Sequence, residues 1–67
     1  MSVARVTEIT AASKKGFEDA IQVGLARANE TLRNVSGAWI QDMKVEVEQG
    51  KIVEYRVNMK VTFVLDD

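Results

Sequence analysis

The chain contains no cysteine and no histidine. The first absence excludes a disulfide framework and a thiolate metal site, and the second removes imidazole both as a metal ligand and as a general base. An excess of one charge sign is lacking as well. Nine Lys+Arg against ten Asp+Glu leave a formal net charge of -1, and the basic residues are scattered, so the basic stripe that a nucleic acid would need is not there. No apolar run approaches the ~18 residues of a membrane span. Met1-Ser2-Val3 leads directly into structured pattern without a charged-then-apolar leader, so the expectation is a cytoplasmic protein with neither signal peptide nor membrane segment. Repeats, low-complexity stretches and linkers are also missing, and residues 1–67 are expected to form one domain. Leu, Ile, Val and Phe are frequent enough, and the charges mixed enough, to exclude a disordered chain.

These absences leave a small domain without its usual supports. A chain of 67 residues buries only about 60% of the surface its unfolded form exposes, and small scaffolds generally need a staple. With disulfides and thiolate or imidazole metal sites excluded, association with further copies of the chain is the staple that remains.

The most regular pattern lies at the end. Val53, Tyr55, Val57, Met59, Val61, Phe63 and Leu65 place an apolar residue at every second position, which is the period of a strand with one dry face. A strand of about 13 residues spans roughly 43 Å at ~3.3 Å per residue, whereas a compact chain of this length has a radius of gyration of about 11 Å. Such a strand must bend strongly or reach beyond its own globule. Its C-terminal part, with Val61, Phe63 and Leu65, is the expected oligomer interface, together with the first strand and the Trp39 end of the second.

Upstream, Val3 to Thr10 is rich in β-branched residues but has no clearly dry side, which suits an edge strand. Ser13 is expected to cap a helix, its hydroxyl accepting from an amide of the first turn. Phe17, Ala20, Ile21, Gly24, Leu25, Ala28 and Leu32 then recur at three- and four-residue spacing and define an amphipathic helix. Gly24 costs about 1 kcal/mol against Ala in a helix interior; flanked by Ala20 and Ala28, it is expected to let the helix lie close on the sheet. Asn34 to Gly37 has the composition of a turn. A second strand follows, with Trp39, Met43, Val45 and Val47 on one side and Ile40, Asp42, Lys44 and Glu46 on the other, the pattern being interrupted at Gln41.

Glu48-Gln49-Gly50 joins the last two strands. A two-residue turn would pair Glu48 with Lys51 and set odd positions against even ones, so a three-residue loop with Gly50 left-handed is expected, pairing Val47 with Lys51. That register sets Trp39 opposite Met59 on the dry side, and Lys44 opposite Glu54 and Asp42 opposite Arg56 on the wet side. The resulting fold class is α+β: a β-α-β-β chain whose three-stranded antiparallel sheet, in the order 1-3-2, wraps on one helix.

Chemistry-bearing constellations are sparse. There is no nucleophile with a neighbouring base, no glycine-rich phosphate loop and no metal-ligand spacing, so an enzyme is not expected. Asp42, Glu46 and Glu48 share a strand face, which is ordinarily a solvated face but could meet a hard cation such as calcium if subunits brought them together. Lys44 and Arg56 could serve an anion such as a phosphate, although salt bridges to the facing carboxylates are the plainer role. Trp39, the single tryptophan, is either an anchor in a core or interface or a surface on which a planar ligand stacks.

Several stretches together resemble the dodecins, small flavin-binding proteins that pack twelve identical strand-helix-strand-strand subunits into a hollow sphere. They are VTEI, the helical run AIQVGLARANETLRN, the hairpin Gly50 and the closing EYRVNMKVTFVLDD. The resemblance implies a cytoplasmic homododecamer that binds or stores a small planar ligand, FMN or riboflavin first, with no nucleic acid and no membrane. In typical dodecins a tryptophan just after the helix stacks on the flavin and a glutamine in the third strand contacts its ring. An ungapped match from the C-terminus puts Gly37 and Arg56 at those two positions, so neither role carries over, and the chain is similar to the branch that lacks both. Lys44 falls where many dodecins have a basic residue near a phosphate-bearing ligand. Trp39 has the parity of Gly37 and lies on the same face about 6.6 Å further on. The expected ligand-binding residues are thus Arg56, Lys44, Trp39 and Gly37. The alternative is a calcium-binding or purely structural hollow assembly.

Overall fold

The long alternating strand is the middle of the sheet. In the computed structural model, which describes residues 3–65, the elements are β1 (Ala4–Ser13), α1 (Phe17–Thr31), β2 (Val35–Glu48) and β3 (Lys51–Val64). Both outer strands pair antiparallel with β3 in the order β1-β3-β2, so the expected α+β architecture is the observed one. With neighbours on both edges and the helix above, Val57, Met59 and Val61 of β3 become fully buried, each such side chain contributing about 1.5–3 kcal/mol. Ile9, Ala11, Ile21, Leu25, Val35 and Ile40 pack around them.

The helix meets this core through its smallest residues, Ala20, Gly24 and Ala28. A Cβ on Gly24 would overlap the Met59 methyl and stand only 2.9 Å from the Ala11 Cβ. The close approach expected of that glycine is therefore real. Ser13, however, is not the cap. It is the last residue of β1, and its hydroxyl donates to Asp19 Oδ2 at 2.6 Å while accepting from the Lys15 amide at 2.9 Å. It orders the connecting turn, and the helix starts three residues later than a Ser13 cap would have it, behind Gly16. At the other end Asn34, at φ 60°, reverses the chain, and β2 begins immediately, so Ser36 and Gly37 belong to the strand and not to a turn.

The register of the β2–β3 hairpin also differs from expectation. The turn has two residues, Gln49 and Gly50, at φ 52° and 78°, the left-handed pair that a type I′ turn requires. Glu48 faces Lys51 and Val47 faces Ile52, and the parity conflict is removed by leaving Val53 unpaired, so that Glu46 faces Glu54 and Val45 faces Tyr55. One extra residue in a strand moves everything beyond it to the other face. Two more irregularities lie in β2, at Gln41 and at Ser36. The first turns Ile40 onto Met59 and Trp39 onto Lys60; the second turns Val35 onto Phe63. Trp39 consequently does not lie opposite Met59 on the dry side. It occupies the face turned away from the helix.

This register sets Lys44 opposite Arg56 and Asp42 opposite Asn58, in place of the charge-complementary pairs. Like charges facing each other are compensated diagonally. Arg56 Nε donates to Glu54 Oε1 at 2.7 Å, and Arg56 Nη2 lies 3.8 Å from Glu46 Oε1. One guanidinium thereby separates the two facing carboxylates. The hydrogen bond to Glu54, then the charges of Glu54 and Glu46, raise the Arg56 pKa above its ordinary value, so it remains a cation throughout the working range.

β1 pairing ends at Ser13 and Tyr55, beyond which β2 and β3 continue as a two-stranded ribbon. The chain measures 52 × 19 × 13 Å with a radius of gyration of 13.8 Å, against about 11 Å for a compact chain. Of the two ways to accommodate a long strand, reaching beyond the globule is the one adopted. Val61, expected at an interface, is instead completely enclosed within its own chain, because it lies beneath the helix, and it has no surface left for a partner.

Two outcomes follow from this packing. Gly24→Ala should destabilise the fold by about 1–2 kcal/mol in urea unfolding, the overlap with Met59 and Ala11 exceeding the gain of about 1 kcal/mol in helix propensity; a variant as stable as the parent would show that the helix does not lie this close. Arg56→Gln should lower the thermal midpoint at low ionic strength, with the deficit shrinking as salt screens Glu46 from Glu54; a deficit indifferent to salt would contradict the compensating role of Arg56.

Candidate functional site

The sheet face opposite the helix collects every ligand-binding candidate read from the sequence. Residues facing each other across a strand pair lie on the same side, so this face carries Gly37 with Thr62, Trp39 with Lys60, Asp42 with Asn58, Lys44 with Arg56 and Glu46 with Glu54. β1 adds Glu8, Thr10 and Ala12, opposite Lys60, Asn58 and Arg56. Gln41 is what makes the set coherent. Without the extra residue, Trp39 and Asp42 would have opposite parity and lie on opposite faces.

The middle of this face is held by hydrogen bonds. Asn58 Nδ2 donates to Glu8 Oε2 at 2.7 Å, and Thr10 Oγ1 donates to Asn58 Oδ1 at 3.3 Å. Asn58 thus links β1 to the centre of the sheet and fixes its amide orientation. Beside it opens a shallow depression of about 540 Å³ lined by Thr10, Asp42, Lys44, Arg56 and Asn58, within the ~300–1,000 Å³ of small-molecule sites. One same-face step along β3, roughly 6.6 Å, brings the chain to Lys60 and its partner Trp39.

Trp39 is 67% exposed, an unusual state for a large aromatic. Lys60 Nζ stands 5.8 Å from the centroid of its ring, a cation–π distance. At Gly37 a Cβ would meet nothing within 4 Å, so the surface there is open and packing does not demand glycine. Lys44 and Lys60 form no ion pair among the described residues, whereas Arg56 is engaged by Glu54 and Glu46. The face therefore combines an exposed indole, two ammonium groups without a carboxylate partner among the described residues, and a hydrogen-bonded polar floor, a combination suited to a planar group carrying negative charge.

The carboxylates Asp42, Glu46 and Glu48 lie along one side of β2, but among the described residues no three His, Cys, Asp or Glu side chains come together as a metal site. Asp42 and Glu48 stand six residues apart on the strand, roughly 20 Å at ~3.3 Å per residue, so the three do not converge on one ion within a single chain. Lys60 and Asn58 were missed by the sequence reading, which placed Trp39 on the core side. The interruption at Gln41 was the available signal, since a polar residue on an apolar face is what a bulge resolves.

With this geometry in view, the chain can be set beside known proteins. The dodecin family model matches residues 3–66. A dodecin of Thermus thermophilus is 32% identical over 65 residues, covering 97% of this chain and 94% of that protein. Among solved structures, the dodecin from Streptomyces davaonensis has a TM-score of 0.93 at 35% identity, with 98% and 97% of the two chains covered. The calcium dodecin of Mycobacterium tuberculosis, described as a calcium-chelating immunodominant antigen, has a TM-score of 0.82 at 27% identity and coverage of 97% and 93%. Agreement of sequence and backbone over nearly the whole length leads to one conclusion: the chain belongs to the dodecin family.

Proposed function

We propose that copies of this chain, each one dodecin-like domain over residues 1–67, assemble into a cytoplasmic homododecamer that binds and stores a planar, phosphate-bearing small molecule, with FMN and riboflavin the first candidates. Dodecins bind and store and do not catalyse, and the role read here is of that kind. The observation that carries the ligand reading is the exposed Trp39 indole, turned to the same face as the depression beside Lys44 and Arg56. The indole stacks on the ring, Lys44 meets the phosphate, and Arg56, aimed by Glu54 and Glu46, offers its remaining N–H groups to a ring carbonyl. Gly37 leaves room beside the stack. In this reading the chain is a dodecin in which Gly37 and Arg56 replace the flavin-contacting tryptophan and glutamine, with Trp39 supplying the aromatic surface instead.

Assembly is supported by what the single chain leaves uncovered. Val47 and Ile52 of the ribbon remain 55% and 51% exposed, and an isolated two-stranded hairpin is marginal in water. Exposed Met43, opposite Val57, extends that apolar surface, exposed Val6 lies on the other face of the sheet, and Phe63 and Leu65 remain the proposed contacts at the opposite end.

A second reading, calcium binding, is favoured by the similarity to the M. tuberculosis calcium dodecin. It would use Asp42, Glu46 and Glu48 from several subunits, since one chain does not bring them together. Calorimetric titration separates the two, because the flavin reading predicts no heat with calcium.

Titration of FMN or riboflavin with the apo-protein should quench flavin fluorescence; absence of quenching at tens of micromolar protein would reject the flavin reading. Trp39→Ala should weaken binding about tenfold, the effect of losing one stacking surface, and Gly37→Trp, for which there is open space, should strengthen it. Light scattering should give a mass many times that of one chain, and Ile52→Asp should lower it; a folded parent monomer would refute the assembly.

A further inference from the structure

We infer that Lys60 selects the ligand of this face, favouring planar rings that carry a phosphate over the same rings without one. The inference rests on the flavin-type reading of the Trp39 site and adds to it a residue and a preference.

Three observations lead to it. Lys60 faces Trp39 directly across the β2–β3 pair, and its ammonium hangs 5.8 Å from the indole centroid. The carboxylate best placed to neutralise it, Glu8 on β1, faces it in register. Glu8 is instead engaged by Asn58 Nδ2 at 2.7 Å, and Lys60 forms no ion pair among the described residues. The cation is therefore left on a weak partner, an exposed aromatic face, worth about two- to fivefold in an equilibrium constant.

That arrangement treats two ligands differently. A neutral ring stacking on Trp39 must push the ammonium off the indole and gives it nothing in return. A ring with a flexible phosphate-bearing tail displaces it too, but then supplies a charge-assisted hydrogen bond, stronger than the cation–π interaction it replaces. Lys60 thus opposes the first and recruits the second. Lys44 lies on the same face but at the depression, facing Arg56 and not the indole, so it can reinforce the anion but does not cover the ring.

FMN and riboflavin share one ring system and differ by the terminal phosphate, so their affinities for the assembled protein isolate the effect. The parent should bind FMN about tenfold more tightly than riboflavin. Lys60→Met, which keeps the apolar stem, should narrow the ratio to about twofold, weakening FMN while leaving riboflavin equal or tighter. Lys44→Met should weaken FMN without tightening riboflavin. Parallel weakening of both ligands in Lys60→Met, or an unchanged ratio, would overturn the inference while leaving the flavin site standing. Failure of both flavins to bind the parent would overturn the site and the inference together.

Discussion

A strand commits each side chain to a face by parity alone, and the central constraint on this molecule is that β3 must bury one face completely while both flanking strands match it. Val57, Met59 and Val61 satisfy that demand under the helix. β2 cannot match them with a regular alternation, because Val35, Ile40 and Met43 do not share one parity. Single unpaired residues at Ser36, Gln41 and, in β3, Val53 reset the count. Each costs local pairing, yet together they bring Val35 and Ile40 onto the core. Burial of such side chains, at about 1.5–3 kcal/mol each, outweighs the ~0.2–1 kcal/mol of a cross-strand charge pair, so the like-charged pair of Lys44 and Arg56 is tolerated.

The same irregularities create the proposed binding face. By turning Trp39 out of the core, the unpaired Gln41 places an indole beside Lys60 and at the end of the depression near Lys44 and Arg56. Folding and the proposed site are therefore linked through the unpaired Gln41. Arg56, which substitutes a cation where a flavin-contacting glutamine would stand, is occupied structurally by Glu54 and Glu46. It is better suited to directing a few hydrogen bonds than to acting as a free counter-ion; in the proposed site that part falls to Lys44 and Lys60, which form no ion pair among the described residues.

Most of the architecture was legible from periodicity. The alternation from Val53 to Leu65, the helical spacing from Phe17 to Leu32 and the glycine at position 24 determine the order of elements, the central strand and the face that the helix covers. The hairpin register was not legible, for a physical reason. Excluding a Glu48–Lys51 pair assumes unbroken pairing, and nothing in the residue types marks Val53 as unpaired or Gln49 as left-handed. Ser13 has the chemistry of a helix cap, but its hydroxyl is used two residues further on and at Asp19. At the site, the shared face of Gly37 and Trp39 could be read directly because no irregularity separates them. Lys60 could not, since its relation to Trp39 exists only after the Gln41 reset.

Diffraction from the assembled protein crystallised with FMN would test the central claim most directly. The account predicts the flavin ring stacked on Trp39 on the sheet face away from the helix, with its phosphate within hydrogen-bonding reach of Lys60 or Lys44. A ring bound on the helix side of the sheet, or Trp39 packed in the core against Met59, would contradict it.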